Sequence, residues 1–384
     1  MPIPDPRPIR ALLDDRLAAL AAEVGAFAAR EIAPRPEPAD DAAARREARA
    51  FAAQLGASGW LESIRRRDWR ACCLVREALG AASPLADAVF ALQGLGALPI
   101  LMSDNAPMRD RWAAEAIAGR AIGGFAMTEA EAGSDVAAIA TMARRDGTSY
   151  VLNGSKRFIS NAGIADFYTV FASTDPKAGA KGISCFVVPA DAPGLRFVGA
   201  QVMSAAHPLG ELAFENCRVP VENRLGDEGR GFALGMKTLD RWRATVGAAA
   251  CGMAARALAE ALAHARARRQ FGKPLAEFQL VQEKLARMAM DLTAARLLVY
   301  RAAWAADGGA ERVTLEAAMA KAFATEAAQR VVDDAVQILG GAGVLASHPV
   351  DRLYRSVRAL RIYEGTTEIQ HLVIAGQLIQ DSSA

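Results

Sequence analysis

Glu364 stands in the run Arg361-Ile362-Tyr363-Glu364-Gly365-Thr366-Thr367-Glu368-Ile369-Gln370, a short irregular segment between two helical patterns. Apolar Ile362 and Tyr363 precede it and Gly365 follows. A carboxylate shut in beside apolar groups has its ionised form disfavoured and its proton affinity raised. Such a group suits abstraction of a weakly acidic C–H proton near neutral pH. Gly365 lets a ligand approach the backbone closely. The T-x-x-Q spacing of Thr367 and Gln370 predicts a helix start built on a capping box. Taken alone, the segment reads first as a surface glutamate in a helix-start loop.

Four further segments are rich in small and polar residues. Phe125-Ala126-Met127-Thr128-Glu129-Ala130-Glu131-Ala132-Gly133-Ser134-Asp135 could bring backbone N–H groups to a planar or phosphorylated ligand, or could be a loop capped by Ser134 or Asp135. In Phe158-Ile159-Ser160-Asn161-Ala162 an aromatic and a hydroxyl two residues apart share one strand face, able to cover a flat ring and bond its edge, or simply to pack a sheet. Arg268-Arg269-Gln270-Phe271-Gly272-Lys273-Pro274, with Phe278-Gln279 beyond, is a helix break suited to phosphate contact. Gln337-Ile338-Leu339-Gly340-Gly341-Ala342-Gly343 reads as a helix end with a glycine cap.

The elements that must position these residues follow from the texture of the chain. Residues from about 9 to 120 carry helical spacing of apolar positions, with one helix from Asp14 to Ile32 and another from Met108 to Ala118. Thr148 to Leu152 and Ser155 to Ile159 flank Asn153-Gly154, a hairpin signal, and strand-like runs follow at Tyr168 to Ala172, Ile183 to Val188 and Leu212 to Phe214. They predict a small antiparallel sheet or barrel. Residues 232–266, 275–305 and 313–339 predict long helices of a bundle. The fold class expected is α+β and multidomain: an N-terminal helical domain at 1–122, a central antiparallel β domain at 123–225 and a C-terminal four-helix bundle at 226–384.

Composition removes several classes. With 384 residues and 52% hydrophobic content the chain is globular, and a net charge of +2 gives no electrostatic case for nucleic acid. Five cysteines, none in a C-x-x-C pair, fit reduced thiols of the cytoplasm. The four histidines lack ligand spacing, so no metal site is expected. No signal-peptide core follows Met1, and the most apolar stretch, 88–103, is interrupted by Gly94, Gly96 and Pro99, so no membrane span is expected. G-x-G-x-x-G, G-x-x-x-x-G-K-[ST], H-E-x-x-H and G-x-S-x-G motifs are absent.

Five motifs in order carry a resemblance: T-E-x-x-A-G-S-D at 128–135, N-G-x-K-x-x-I-S-N at 153–161, R-x-Q-F-G-K-x-L at 268–275, D-A-V-Q-I-L-G-G at 334–341 and I-Y-E-G-T at 362–366. Across roughly residues 10–380 the chain resembles the acyl-CoA dehydrogenase family. The resemblance implies non-covalent FAD, an acyl-CoA substrate, an electron-transfer flavoprotein as acceptor and a homotetramer or homodimer. It implies that Phe125, Met127, Thr128 and Ser134 lie along the flavin, Ser134 also near the pantetheine, with Phe158 and Ser160 at its other side and N5 edge. Arg268, Gln270, Gln279, Gln337 and Gly341 would reach the FAD of a neighbouring subunit, and Thr366 and Glu368 would touch FAD as well. Asp240 to Arg243 would sit near the CoA moiety, with Gly365 at the substrate. Glu364 matches the family's base: it would take the α proton while its backbone N–H bonds the thioester carbonyl, and the product would be a 2,3-enoyl-CoA.

The match has departures. Some relatives carry the base just before an arginine on an earlier helix; here that position is Trp242, before Arg243, with no carboxylate. The segment Leu55 to Trp69 lacks the expected glycine loop and looks shortened, which bears on acyl specificity. Phe158 stands where many relatives have Trp. Phe90, Ala91, Leu95 and Trp242 are candidates for the acyl end or for core packing, and the acyl group expected is short or medium, branched or cyclic among the options. Two other functions fit the same motifs: a flavin-dependent oxidase or monooxygenase, and a non-catalytic subunit of a heteromeric dehydrogenase.

Overall fold

The computed structural model describes residues 4–381. Secondary structure runs helical to Ile117, then β from Gly123 to Leu225, then helical from Gly231. The chain gathers into two compact units that do not follow this order: one comprises residues up to Pro36 together with Arg67–Asp87 and Asp240 onward, the other Glu37–Arg66 and Ala88–Leu239.

The first unit is helical. Its longest member, Gly231–Ala267, enters it at Asp240 and is followed by Gln279–Asp307 and Thr314–Leu339. Trp69–Ala82 starts at Asp68, whose carboxylate accepts the Ala71 N–H, and is buried along nearly its whole length. It can lie close to the long helix because glycine stands at the crossing: a Cβ on Gly252 would fall 2.0 Å from the Glu77 carbonyl oxygen. Between Gln279–Asp307 and the long helix, Arg269–Gln270 and Lys273–Pro274 pair as a two-stranded ribbon. Phe271 and Gly272 make its turn at φ 49° and 81°.

The second unit is built on eight strands, β1 Gly123–Ala126, β2 Met142–Asp146, β3 Ser149–Ser160, β4 Phe167–Ser173, β5 Ile183–Pro189, β6 Leu195–Ala200, β7 Leu209–Pro220 and β8 Arg224–Leu225. The order is β6-β7-β3-β2-β4-β5-β8, with β1 on β4. The sheet is mixed rather than wholly antiparallel, because β1 and β2 each run parallel to β4. Helix Asp41–Ala57 docks on it through Arg45, which donates to the Ala162 and Leu209 carbonyls at 2.6 and 2.8 Å.

Asn153-Gly154 is not a hairpin turn. β3 runs straight through it, and the β2–β3 turn falls at Gly147, φ 60°. The pair instead marks a bulge against β7, where the register shifts between Leu152 and Gly154. Gly154 sits at φ 144° with Thr141 Cα 2.7 Å from where a Cβ would be, so the position demands glycine without demanding a turn. The expected helix at Met108 is broken by a wide turn at Arg109–Ala113. Pro84–Leu101 runs through Pro99. It and Gly231–Ala267 are long and apolar enough to cross a membrane by length and composition, yet 89% and 61% of their apolar windows are buried within the protein.

Candidate active site

Glu364 lies in the linker between helices Pro349–Leu360 and Thr367–Asp381. Its backbone is left-handed, φ 56°, and Gly365 follows at φ 91°. A non-glycine residue pays about 1–3 kcal/mol to stay in such a region and does so only where its surroundings enforce it. Three side chains of the helical unit enforce it here. Arg243 Nε donates to the Glu364 carbonyl at 3.1 Å. Gln370 Nε2 donates to the Glu364 and Gly365 carbonyls, each at 3.1 Å. Lys321 Nζ donates to the Gly365 carbonyl at 2.8 Å. Lys321 and Gln370 are fully buried, so these bonds compete with no water. Among the described residues the Glu364 N–H has no acceptor.

The helix start differs from the capping box expected. Thr366 Oγ1, not Thr367, accepts the Ile369 N–H, while Thr367 donates to Glu326 Oε1 at 2.7 Å. Gln370 turns its amide to the carbonyls of the linker instead of to an N–H. The same two residue types therefore serve the shape of the linker.

The residue as a whole is half-buried, but Glu364 Oε2 is sealed from solvent and has no hydrogen-bond partner among the described residues. Burial lifts its proton affinity, the cations Arg76, Arg243 and Lys321 oppose that, Asp87 adds to it, and the pKa stands at about 7. Burial lowers Lys321 to about 8, with Glu364 acting in the other direction. Arg243 is bound in turn to Asp240 at 2.7 Å, and Asp240 accepts from Thr314 at 2.7 Å. Glu364, Gly365, Thr366, Asp240 and Arg243 thus come together. Arg268, Gln270, Gln279, Gln337, Gly341 and Glu368 lie exposed in the same unit. Trp242 has no accessible surface and meets Trp69 edge-on at 6.4 Å, while Phe90, Ala91 and Leu95 are buried in the other unit.

In the sheet unit the backbone of Met127 and Thr128 is tied to β3 just before Phe158. The Arg157 N–H donates to the Thr128 carbonyl at 2.9 Å. Lys156, fully buried, donates to the Met127 carbonyl at 3.0 Å and to Glu129 Oε1 at 2.7 Å. Glu129 also accepts the Ala140 and Thr141 N–H groups at 2.6 and 3.0 Å. Phe158 sits at φ 56° with 55% of its surface exposed, its N–H on Gln201 Oε1 at 2.9 Å and the Arg157 guanidinium 5.0 Å above its ring. This positive φ breaks the regular strand alternation that the sequence pattern assumed. Ser160 Oγ lies 2.8 Å from His207 Nε2, and burial lowers His207 to about 4, so the imidazole is neutral. Phe125 rests on Phe171 at 4.9 Å, and Ser134 is exposed on the loop after β1.

Sequence reasoning missed Lys321, Arg76, Asp87, Lys156, Glu129 and His207. A lysine and an arginine inside otherwise apolar helical runs were the available signals, since unpaired charge is rarely fully buried.

Residues 229–379 match the family description "Acyl-CoA dehydrogenase, C-terminal domain" and residues 124–217 match "Acyl-CoA dehydrogenase, middle domain". The probable acyl-CoA dehydrogenase FadE25 of Mycobacterium tuberculosis is 40% identical over 313 residues, 81% of this chain and 80% of that protein. The chain belongs to the acyl-CoA dehydrogenase family. This family member is also similar to the butyryl-CoA dehydrogenase of Megasphaera elsdenii, with a TM-score of 0.89 at 34% identity over 96% of this chain and 99% of that one. A structure titled "Electron transferring flavoprotein of Acidaminococcus fermentans" matches with a TM-score of 0.89 at 35% identity, covering 95% and 98% of the two chains.

Members of the family are FAD-dependent oxidoreductases, and this dehydrogenase has a donor set that fits the group. An exposed aromatic held in a strained backbone, two residues before a hydroxyl on the same strand, suits contact with a flat ring.

Proposed function

We propose that the chain dehydrogenates an acyl-CoA thioester at Cα–Cβ to the 2,3-enoyl-CoA, with Glu364 as the base. The observation that carries this is the buried, partnerless Oε2 of Glu364 on a backbone fixed by Arg243, Gln370 and Lys321. A carboxylate whose pKa stands near neutrality is matched to a proton held weakly by carbon. The free Glu364 N–H supports a second role, donation to the thioester carbonyl as enolate-like charge builds. The chemistry that FAD would supply when bound is acceptance of the β hydrogen as hydride.

Phe125, Met127, Thr128, Ser134, Phe158 and Ser160 are assigned to the flavin, and Thr366 and Glu368 to FAD as well. Arg268, Gln270, Gln279, Gln337 and Gly341, all exposed, are assigned to the FAD of a neighbouring copy in a homodimer or homotetramer. Exposed Leu280, Met290, Leu297, Trp304 and Leu372 on the helical unit support such assembly. Ser134, Asp240, Arg243 and Gly365 are assigned to substrate, with a short to medium acyl chain, branched or cyclic chains included. The likeness to the Acidaminococcus structure supports an electron-transfer flavoprotein as acceptor. Five buried free thiols suit a cytoplasmic location.

An anaerobic titration of the yellow protein with a panel of acyl-CoAs tests the reading through the flavin's visible absorbance. Bleaching by one acyl class, abolished by Glu364→Gln, is expected. Bound flavin that no acyl-CoA bleaches overturns it.

A further inference from the structure

Arg76 and Asp87 are 0% and 1% exposed, eleven residues apart on successive helices of the same unit as Glu364. Arg76 Nε and Nη2 donate to the two Asp87 oxygens at 2.8 and 2.9 Å, and Nη1 donates to Thr245 Oγ1 at 2.9 Å. Thr245 Oγ1 in turn donates to the Trp242 carbonyl at 2.7 Å, and the guanidinium carbon lies 5.9 Å from the Trp242 ring. The helical turn so held, Trp242 to Thr245, includes Arg243, whose Nε holds the Glu364 carbonyl. A buried ion pair is a weak source of stability, since a hydrophobic pair of the same volume is often as good or better. Stability alone therefore does not account for two charges placed here.

We propose that the Arg76–Asp87 pair is a positioning device for Glu364: through Thr245 it braces the turn that carries Arg243, the side chain that holds the Glu364 carbonyl. The proposal rests on the reading of Glu364 as base. The charged groups that act most on the Glu364 carboxyl come from four helices: Arg76 from Trp69–Ala82, Asp87 from Pro84–Leu101, Arg243 from Gly231–Ala267 and Lys321 from Thr314–Leu339. Arg76 is the strongest cation among them and favours the carboxylate, whereas Asp87 favours the acid. Both sit out of reach of solvent, where salt screens them little. Arg76 also acts on the neighbouring Tyr363. Burial raises the Asp87 proton affinity, so removing Arg76 leaves an acid that tends to neutralise rather than an isolated charge.

Infrared difference spectroscopy of the FAD-loaded protein, following the protonated-carboxyl stretch as pH rises, reads the Glu364 midpoint once the same background carrying Glu364→Gln is subtracted. Asp87→Asn is expected to lower the midpoint by about 1 pH unit or more, and Arg76→Met to raise it by a similar amount. Arg76→Lys, which keeps the charge, should lie between wild type and Arg76→Met. Asp87→Asn strands a buried guanidinium. If it does not fold, the double variant Arg76→Met with Asp87→Leu removes both charges, and its midpoint is expected to rise, Arg76 being the larger influence of the two. Folded variants whose midpoints stay put, or single variants that move it the same way, overturn the proposal. Full dehydrogenation by Glu364→Gln instead overturns the assignment of the base, whatever the midpoints do.

Discussion

Both units force a non-glycine residue to a positive φ close to 56°, Glu364 in the helical unit and Phe158 in the sheet unit, and they hold it in opposite ways. Around Glu364, side chains from three helices reach in and fasten backbone carbonyls, which leaves one carboxylate oxygen sealed and unpaired. Phe158 falls in a break of the β3–β7 register, its N–H is held by Gln201, and its side chain is left outside, more than half exposed. The difference follows from the work each is suited to. Proton transfer from carbon gains from a fixed group in a dry setting, where its affinity for the proton is high. Binding a flat ring needs apolar surface that is still open. The same backbone strain serves a reactive atom in one place and a contact surface in the other.

The contrast is broken most severely by Glu364→Gln. Turnover is expected to fall on the order of 10²–10⁴-fold, with flavin still bound, because general-base catalysis is worth that much and no other carboxylate shares the linker. Steady-state rates alongside the visible spectrum check both halves. Next comes Lys156→Met, which strands the Glu129 carboxylate among backbone donors in the sheet unit. Loss of one partner of a buried pair costs about 3–5 kcal/mol, seen as a lower thermal midpoint and weaker retention of FAD, with no change in the pH profile of whatever activity remains. Gly365→Ala would put a Cβ 2.4 Å from Gln370 Nε2 at a φ of 91°, so a loss of about 1–3 kcal/mol in chemical denaturation is expected. Thr366→Ala removes the helix cap and should cost about 1 kcal/mol in the same measurement.

pH sharpens the comparison. The Glu364 carboxyl has a folded pKa, about 7, above its ordinary 4.5. The folded state therefore binds more protons than the unfolded state between those values, and this group's contribution to stability falls as pH rises through that window. Glu364→Gln should flatten the decline in a series of denaturant titrations from pH 4 to pH 8. Activity runs the other way: it should fall as pH drops below about 7, since the base must be ionised. The imidazole beside Ser160 in the sheet unit, His207, has its pKa lowered to about 4, so FAD affinity should be flat as pH rises from there to neutrality.

Much of this was legible in the sequence. The long helices announced themselves through apolar spacing, as 313–339 does for Thr314–Leu339, and the short irregular run around Glu364 was visible because a glycine and a capping threonine frame it. What stayed hidden depends on partners far along the chain. Lys321 looks like one more charge on a helix until its nitrogen meets the Gly365 carbonyl, and Arg76 and Asp87 look solvated until both prove buried. Asn153-Gly154 misled because the conformational freedom of glycine fits a turn and a bulge equally well, and only the β7 register separates them. Thr366 took the cap from Thr367 because Glu326, 41 residues earlier, claims the second hydroxyl.

The helical unit is assembled from three separated stretches, with its last stretch beginning at Asp240. Trp69–Ala82 has nearly every side chain buried, against partners such as Ala249, Gly252 and Tyr300 that are made much later. On a ribosome adding about 5–20 residues per second, that apolar helix waits on the order of ten seconds or more for them. The sheet unit, whose final residue is Leu239, is complete before the wait is over. Birth order thus exposes the helix that carries Arg76 to chaperones and to aggregation. Slower translation beyond residue 240 should lengthen that exposure and lower the soluble yield.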